Sequence, residues 1–224
     1  VQILSALEYL PSIEGIIFSN EFFDAFPVDV AVKQDGEWKE AGITFAGDEL
    51  KETVRDIRDE ASRQLIQEWD VPSYMNRIEV PLRMMEAYET IIEKLRRGYL
   101  LTIDYGMDRD EWFSPIRKEG TLRAYRNHQL LESILDAPGE ADITFTVPFG
   151  LLRGRGAQMG CREEFWGGQA EFLIEGGILE ELIPHADSDP FSQASKHNRQ
   201  IRQLIMGESI SDYFRVLWQS KNIR

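Results

Sequence analysis

The chain has 224 residues, 42% of them hydrophobic and 29% charged, the balance of a globular protein long enough for one large core. Asp and Glu number 39 against 25 Lys and Arg, a formal charge of −14, which disfavours a nucleic-acid partner because phosphate backbones need a cationic face. One cysteine, Cys161, rules out an intrachain disulfide, and no apolar run reaches membrane-spanning length, so no membrane insertion is expected.

No signal or transit pattern opens the chain. It begins with Val1 rather than Met, so an internal piece of a longer protein is expected. Ile3, Leu4, Leu7 and Leu10 stand at helical spacing, and Pro11 stops the pattern. Residues 14–20 read as a strand with a continuous apolar centre, Ile16-Ile17-Phe18. Continuity predicts cover on both faces, as in a parallel sheet. Residues 28–33 and 37–45 predict a hairpin turning at Asp35-Gly36. Residues 48–69 alternate acids and bases at three- and four-residue spacing, which predicts a solvated and mostly helical segment.

Residues 82–97 form a clearer amphipathic helix, with Met84, Tyr88, Ile91, Ile92 and Leu95 on one face and Gly98 as its stop. A second buried strand follows at 99–105, ending in Asp104 and Tyr105. Residues 107–129 predict a long irregular connection, which usually serves a site or is mobile. A strand at 143–147, a short helix within 170–183, a helix at 196–206 and a strand at 213–218 complete the chain. Repeated alternation of helix and strand predicts an α/β fold in one domain over 1–224, with a hairpin and helices inserted at 28–98.

In open α/β sheets ligands bind beyond the carboxyl ends of the strands. Asn20-Glu21 and Asp104-Tyr105 stand at two such ends. If the strands are neighbours, these side chains converge on one crevice. A buried carboxylate needs a partner, and a cationic substrate group would be one. A helix cap or an internal salt bridge would use the same acids. The loop 120–128 (GTLRAYRNH) gathers Arg123, Tyr125, Arg126 and His128, groups able to hold an anion or orient a carboxylate. A loop pinned to the surface by arginine pairs is the alternative.

Arg153-Gly154-Arg155-Gly156 has the spacing of a phosphate loop but lacks a strand immediately before it, so a helix end is expected instead. The histidines His128, His185 and His197 make no zinc spacing with one cysteine, and no metal is expected. Cys161 and the neighbouring Phe165-Trp166 read as packing.

Taken in order, SNEFFDAFPVD (19–29), GYLLTIDYG (98–106), GTLRAYRNH (120–128), PGEADITF (138–145), QAEFLIEGGI (169–178) and Met206-Gly207-Glu208 resemble the MidA family, whose mitochondrial members are complex I assembly-factor methyltransferases. The resemblance implies a class I, Rossmann-like methyltransferase sheet. It implies S-adenosylmethionine as cofactor and symmetrical N-methylation of an arginine on a client protein, for example a complex I subunit. It implies the cytoplasm for a bacterial member and the mitochondrial matrix for a eukaryotic one.

On this sequence the family motifs fall on Asn20, Glu21, Asp24 and Ala25, on Asp104 to Gly106, on Gly120 to Arg123 with His128, and on Pro138, Gly139 and Asp142. The implied catalytic residues are Glu21, Asn20 and Asp24. Substrate would be bound by Asp104, Tyr105, Arg123, His128 and Asp142, and cofactor by Ser19 and Asn20. The chain departs from the family at 145–149, where a histidine and a carboxylate are replaced by Phe145-Thr146-Val147-Pro148-Phe149. It also leaves too little sequence before residue 14 for a glycine-rich donor loop, so the first strands of the sheet are expected to be missing. That makes a catalytically incomplete assembly or binding module the alternative function. The 16–20 strand would then be an apolar edge, to be covered by residues 1–10, by a second copy in a homo-oligomer, or by further residues.

Overall fold

The computed structural model describes residues 3–127, 129–184, 189–206 and 213–223. At its centre two strands run side by side in the same direction. β1 (Ile13–Asn20) ends where its apolar run stops. Four strands then form a separate antiparallel sheet: β2 (Asp29–Gln34), β3 (Glu37–Ala46), β4 (Glu49–Arg55) and, after helix α1 (Glu60–Glu68), β5 (Arg77–Val80). Helix α2 (Leu82–Lys94) leads without a loop into β6 (Leu95–Met107), which pairs with β1 in parallel, Ile16 opposite Tyr99 and Asn20 opposite Ile103.

Beyond β6 come α3 (Arg109–Trp112), then β7 (Arg123–Arg126), β8 (Gln129–Leu130) and β9 (Asp142–Thr144) in a three-stranded sheet of their own. β10 (Val147–Pro148) adds to the far end of β6, opposite Gly106 and Met107. The chain continues through α4 (Phe149–Gln158), β11 (Cys161–Gly168), α5 (Gln169–Glu175), α6 (Gln193–Ile205) and β12 (Phe214–Lys221). The main sheet has the order β1-β6-β12-β11, with β12 antiparallel between β6 and β11. It is a mixed α/β sheet of the Rossmann-like kind.

Strand parity assigns the layers, because successive side chains point to opposite faces. Leu100 on β6 and Leu217 on β12 face Met84, Tyr88, Ile91 and Ile92 of α2 and Phe149 and Leu152 of α4, all in one buried cluster. The Tyr88 hydroxyl donates to Gln219 Oε1 inside it. Trp218 points the other way and meets Phe172 of α5 edge-on. A second cluster joins the small sheet to the main one. Ala31, Ile78 and Val80 pack with Leu65, Ile66 and Trp69, and also with Met107, Trp112 and Phe113 beyond β6. The segment 28–98 is therefore divided: β2–β5 and α1 form the added sheet, whereas α2 packs in the main core.

Several sequence expectations are corrected. Residues 49–55 are a strand, because their charges pair across strands, Arg55 with Glu40 and Arg77 with Glu52. The helix expected over 3–10 is reduced to one 3-10 turn, Leu7–Tyr9, packed beside α2. It leaves the outer edge of β1 unpaired among the described residues, with Ile16 70% and Phe18 60% exposed. Only alternate residues of β1, Ile13 and Ile17, reach the core, so the expected cover on both faces is not there. The 143–147 strand is two short pieces in two sheets, β9 and β10. The strand β11 was not expected. Arg153 to Gly156 lies within α4, consistent with rejecting it as a phosphate loop. His128, His185, Gly207 and Glu208 lie outside the described residues.

Gly98 does not cap α2; it lies inside β6 at φ 139, and a Cβ there would sit 1.8 Å from the Gly15 carbonyl oxygen. Gly98→Ala should therefore lower stability by roughly 2–4 kcal/mol through overlap and backbone strain. Gly154 on α4 has open space around it, and Gly154→Ala should raise stability by about 0.5–1 kcal/mol. Urea denaturation of the two variants checks both signs.

Candidate functional site

β1 ends at Asn20, opposite Ile103, while β6 runs on to Met107, and the chain leaving β1 folds back beside that extension. Glu21 takes a left-handed backbone at φ 47, a conformation that costs a non-glycine residue about 1–2 kcal/mol. Its N–H still donates to the Ile103 carbonyl at 3.0 Å. Phe22 and Phe23 then dive inward, Phe23 packing edge-on against Tyr88 and both meeting Phe26.

Asp104 holds this bend. Its carboxylate is 0% exposed. Oδ2 accepts the Phe22 and Phe23 N–H groups at 3.1 and 2.8 Å, and Oδ1 accepts the Tyr105 N–H at 2.8 Å. Asp104 was expected to line the crevice and touch substrate. It instead faces inward, because it shares the strand parity of Leu100 and Thr102, both fully buried.

The other acids cluster around it. Asp24 is buried, and Glu21 is exposed with Asn20 Nδ2 donating to its Oε1 at 3.3 Å. Burial, then the neighbouring Asp24 charge, push the Asp104 carboxyl up to about 7 against the pull of its three N–H donors. Burial and then Glu21 raise Asp24, while its own and the Ala25 N–H, and the Arg123 charge, oppose the rise. Burial, then Glu21 and Asp24, raise the Tyr105 phenol. Glu21, Asp24, Asp104 and Tyr105 thus share one electrostatic neighbourhood where β1 ends beside β6.

The 120–123 segment forms the facing wall. Glu79 on β5, also 0% exposed, accepts the Thr121 N–H at 2.8 Å, the Thr121 hydroxyl at 3.0 Å and the Leu122 N–H at 3.2 Å. Gly120 at φ 85 makes the approach possible, since a Cβ there would lie 2.5 Å from Glu79 Oε1. Thr121 Oγ1 in turn accepts the Thr146 N–H at 3.1 Å, and Arg123 Nη2 donates weakly to Thr146 Oγ1 at 3.4 Å. A cleft of about 300 Å³ opens between Tyr105, Arg117, Thr121, Arg123 and Tyr213.

Sequence reasoning missed Glu79, Arg117, Thr146 and Tyr213. A lone acid in the short apolar strand Ile78-Glu79-Val80 was the one available signal. Asp142 is exposed on β9, its backbone opposite Tyr125, and does not line the cleft. Of the 145–149 segment, Phe145, Val147 and Phe149 are core residues, and Thr146 alone reaches the cleft. Ser19 at the end of β1 is half-buried and donates to Thr102 Oγ1 at 3.3 Å. No group of acids, histidines and cysteine among the described residues could hold a metal ion, and no described helix is long and apolar enough to cross a membrane.

Because the raised Asp104 binds its proton more tightly folded than unfolded, its stabilising contribution is full below about pH 4 and declines as pH rises through about 7. Asp24 is shifted in the same direction. The urea midpoint should thus fall between pH 5.5 and pH 8, and Asp104→Asn should shrink that fall. Asp104→Ala, which removes the acceptor of three backbone N–H groups, should cost on the order of 2–5 kcal/mol at either pH.

Comparison with known proteins adds a family. Residues 1–164 match the model of an S-adenosyl-L-methionine-dependent methyltransferase family. The chain is 28% identical over 222 residues to the mitochondrial protein arginine methyltransferase NDUFAF7 of Danio rerio, covering 95% of this chain and 49% of the relative. It is 29% identical over 197 residues to the NDUFAF7 homologue of Drosophila melanogaster, 80% of this chain and 42% of that one. The chain thus spans about half the length of the curated relatives it matches. A crystallised protein of Burkholderia thailandensis bound to S-adenosyl-homocysteine superposes with a TM-score of 0.83 at 26% identity, covering 99% of this chain and 56% of that structure.

Proposed function

This chain belongs to the S-adenosyl-L-methionine-dependent methyltransferase family, and from that premise we propose that it forms the acceptor-binding wall of a protein arginine N-methyltransferase. The observation that carries the proposal is the convergence of Glu21 and Asp24 beside Tyr105 over the buried Asp104. Acids held together with no ion pair among the described residues, Arg123 being the nearest countercharge to Asp24, create a field suited to a guanidinium. The arginine methyltransferase names of the relatives in zebrafish and fly support the same reading.

A guanidinium is a poor nucleophile because its lone pairs are delocalised. An exposed carboxylate can grip two of its N–H groups and aim the remaining nitrogen. Glu21 is the exposed acid of the cluster and takes that role. Its left-handed backbone, fixed by the Ile103 and Asp104 hydrogen bonds, pre-sets the direction of the side chain. As the acceptor nitrogen forms its bond to carbon it must lose a proton, and Glu21 is placed to accept it. Asp24 adds negative charge behind Glu21, and Asp104 holds the backbone of the bend.

The residues present fit a cationic methyl donor: the acids complement a sulfonium, and the exposed Asn20 side chain donates from Nδ2 to Glu21 while its Oδ1, unbonded among the described residues, can accept from a hydroxyl. Ser19 and Asn20 would hold it at the end of β1. S-adenosylmethionine supplies an electrophilic methyl whose carbon–sulfur electron pair returns to sulfur. The client we propose is a protein with an accessible arginine, a complex I subunit being the one the family resemblance implies.

Glu21→Gln keeps the shape and removes the charge. In the full-length enzyme it should lower kcat by about 100-fold or more, within the range for losing a positioned base, while donor affinity stays within about twofold. Methyl transfer followed with radiolabelled donor, alongside calorimetry of donor binding, checks both. Undiminished turnover removes Glu21 from the reaction.

A further inference from the structure

The acidic cluster accounts for one end of the crevice. The other end is cationic. Arg117 and Arg123 both line the 300 Å³ cleft, and neither has a carboxylate within salt-bridge distance among the described residues. Acids exceed bases in this chain by 39 to 25, and many of its arginines, Arg55, Arg77 and Arg153 among them, are ion-paired. Arg117 offers one N–H to a backbone carbonyl, that of Glu111. Arg123 is half-buried; among the described residues its one side-chain hydrogen bond is the 3.4 Å bond to Thr146, and its buried Nε has no hydrogen-bond partner.

A buried guanidinium N–H without an acceptor is costly, by about 1–3 kcal/mol. The rest of the wall is built to keep it there. Glu79 fixes Thr121, Thr121 fixes Thr146, and Thr146 meets Arg123. Arg123 is also close enough to Asp24 to lower that acid's proton affinity, so the cationic and acidic ends adjoin across Tyr105. Two guanidinium forks beside one cavity match a carboxylate.

We propose that the Arg117–Arg123 cleft is a carboxylate subsite, and that the protein client presents an Asp or Glu side chain a few residues from the arginine it offers to Glu21. The proposal rests on the arginine-acceptor reading above and adds the sequence context of the target. The acidic end takes the guanidinium and the basic end takes the neighbouring acid. A dipolar arginine–acid pair is thereby selected over an isolated arginine or a basic stretch. The donor also carries a carboxylate, and that second source is separated by the test.

The test uses peptides with one arginine in a glycine–alanine background and a glutamate walked from one to five residues away on either side. Binding to the protein is read by fluorescence anisotropy, with glutamine in place of glutamate as reference. At one or two spacings the glutamate peptide should bind about tenfold tighter than its glutamine partner, the strength of one charge-assisted pair. Arg123→Gln and Arg117→Gln should each erase that advantage and leave the glutamine peptide unchanged. S-adenosyl-homocysteine affinity should be the same in both variants.

A flat glutamate scan, an advantage that survives both variants, or no binding by any peptide overturns the proposal. So does a loss confined to S-adenosyl-homocysteine, which would assign the cleft to the donor. Replacing the peptide arginine with citrulline separates the two readings. Lost binding with a flat glutamate scan leaves the arginine grip standing without the subsite. A glutamate advantage indifferent to citrulline leaves the subsite standing without the grip.

Discussion

One buried carboxylate organises the end of the sheet. Asp104 lies where β6 meets the bend after β1, and each of its oxygens is taken by backbone N–H groups. The Phe22 and Phe23 donors would otherwise be orphaned, since the bend leaves the β-ladder and forms no helix. The cost of burying the charge is visible in its raised proton affinity. In return the bend has one conformation: Phe22 and Phe23 are drawn into the aromatic cluster, and Glu21 is left on the outside at a backbone angle it would not choose alone.

A second carboxylate repeats the device across the crevice. Glu79 receives three hydrogen bonds from Thr121 and Leu122, and so ties the small antiparallel sheet to the wall that carries Arg123. Acids around this crevice therefore have two distinct fates. Asp104 and Glu79 are fully buried and bonded to backbone, where they fix geometry. Glu21 is exposed at the rim, where charge is available to a ligand. On the facing wall it is Arg123 that stands out, with a buried Nε that no described group accepts from.

The sequence was most legible where its pattern changed abruptly. The end of Ile16-Ile17-Phe18 at Ser19-Asn20-Glu21 marked the end of β1, and Asp104 marked the part of β6 that the chain leaving β1 folds against. Period-two parity along β6 would also have told that Asp104 points inward with Leu100, but the polar end invited the opposite reading. Residues 49–55 misled because acids and bases spaced by three and four also suit a two-sided, solvated hairpin. Glu79 was hidden because three donors from 42 residues away make its environment, and no local rule reports them. Asp142 came in through the family motif alone, and the fold turns it away from the cleft.

The facing glycines at the start of the parallel pair have an effect at its far end. Gly98 stands opposite Gly15 in the β1–β6 register, with no room for a side chain between them. A slip of one residue would bring Glu14 or Ile16 to that narrow point and would turn every side chain of β1 to the other face. The two glycines therefore act as an alignment pin. Placed five positions upstream of Asn20, they set the height at which one strand's tip meets its neighbour, and they do so without touching anything that binds.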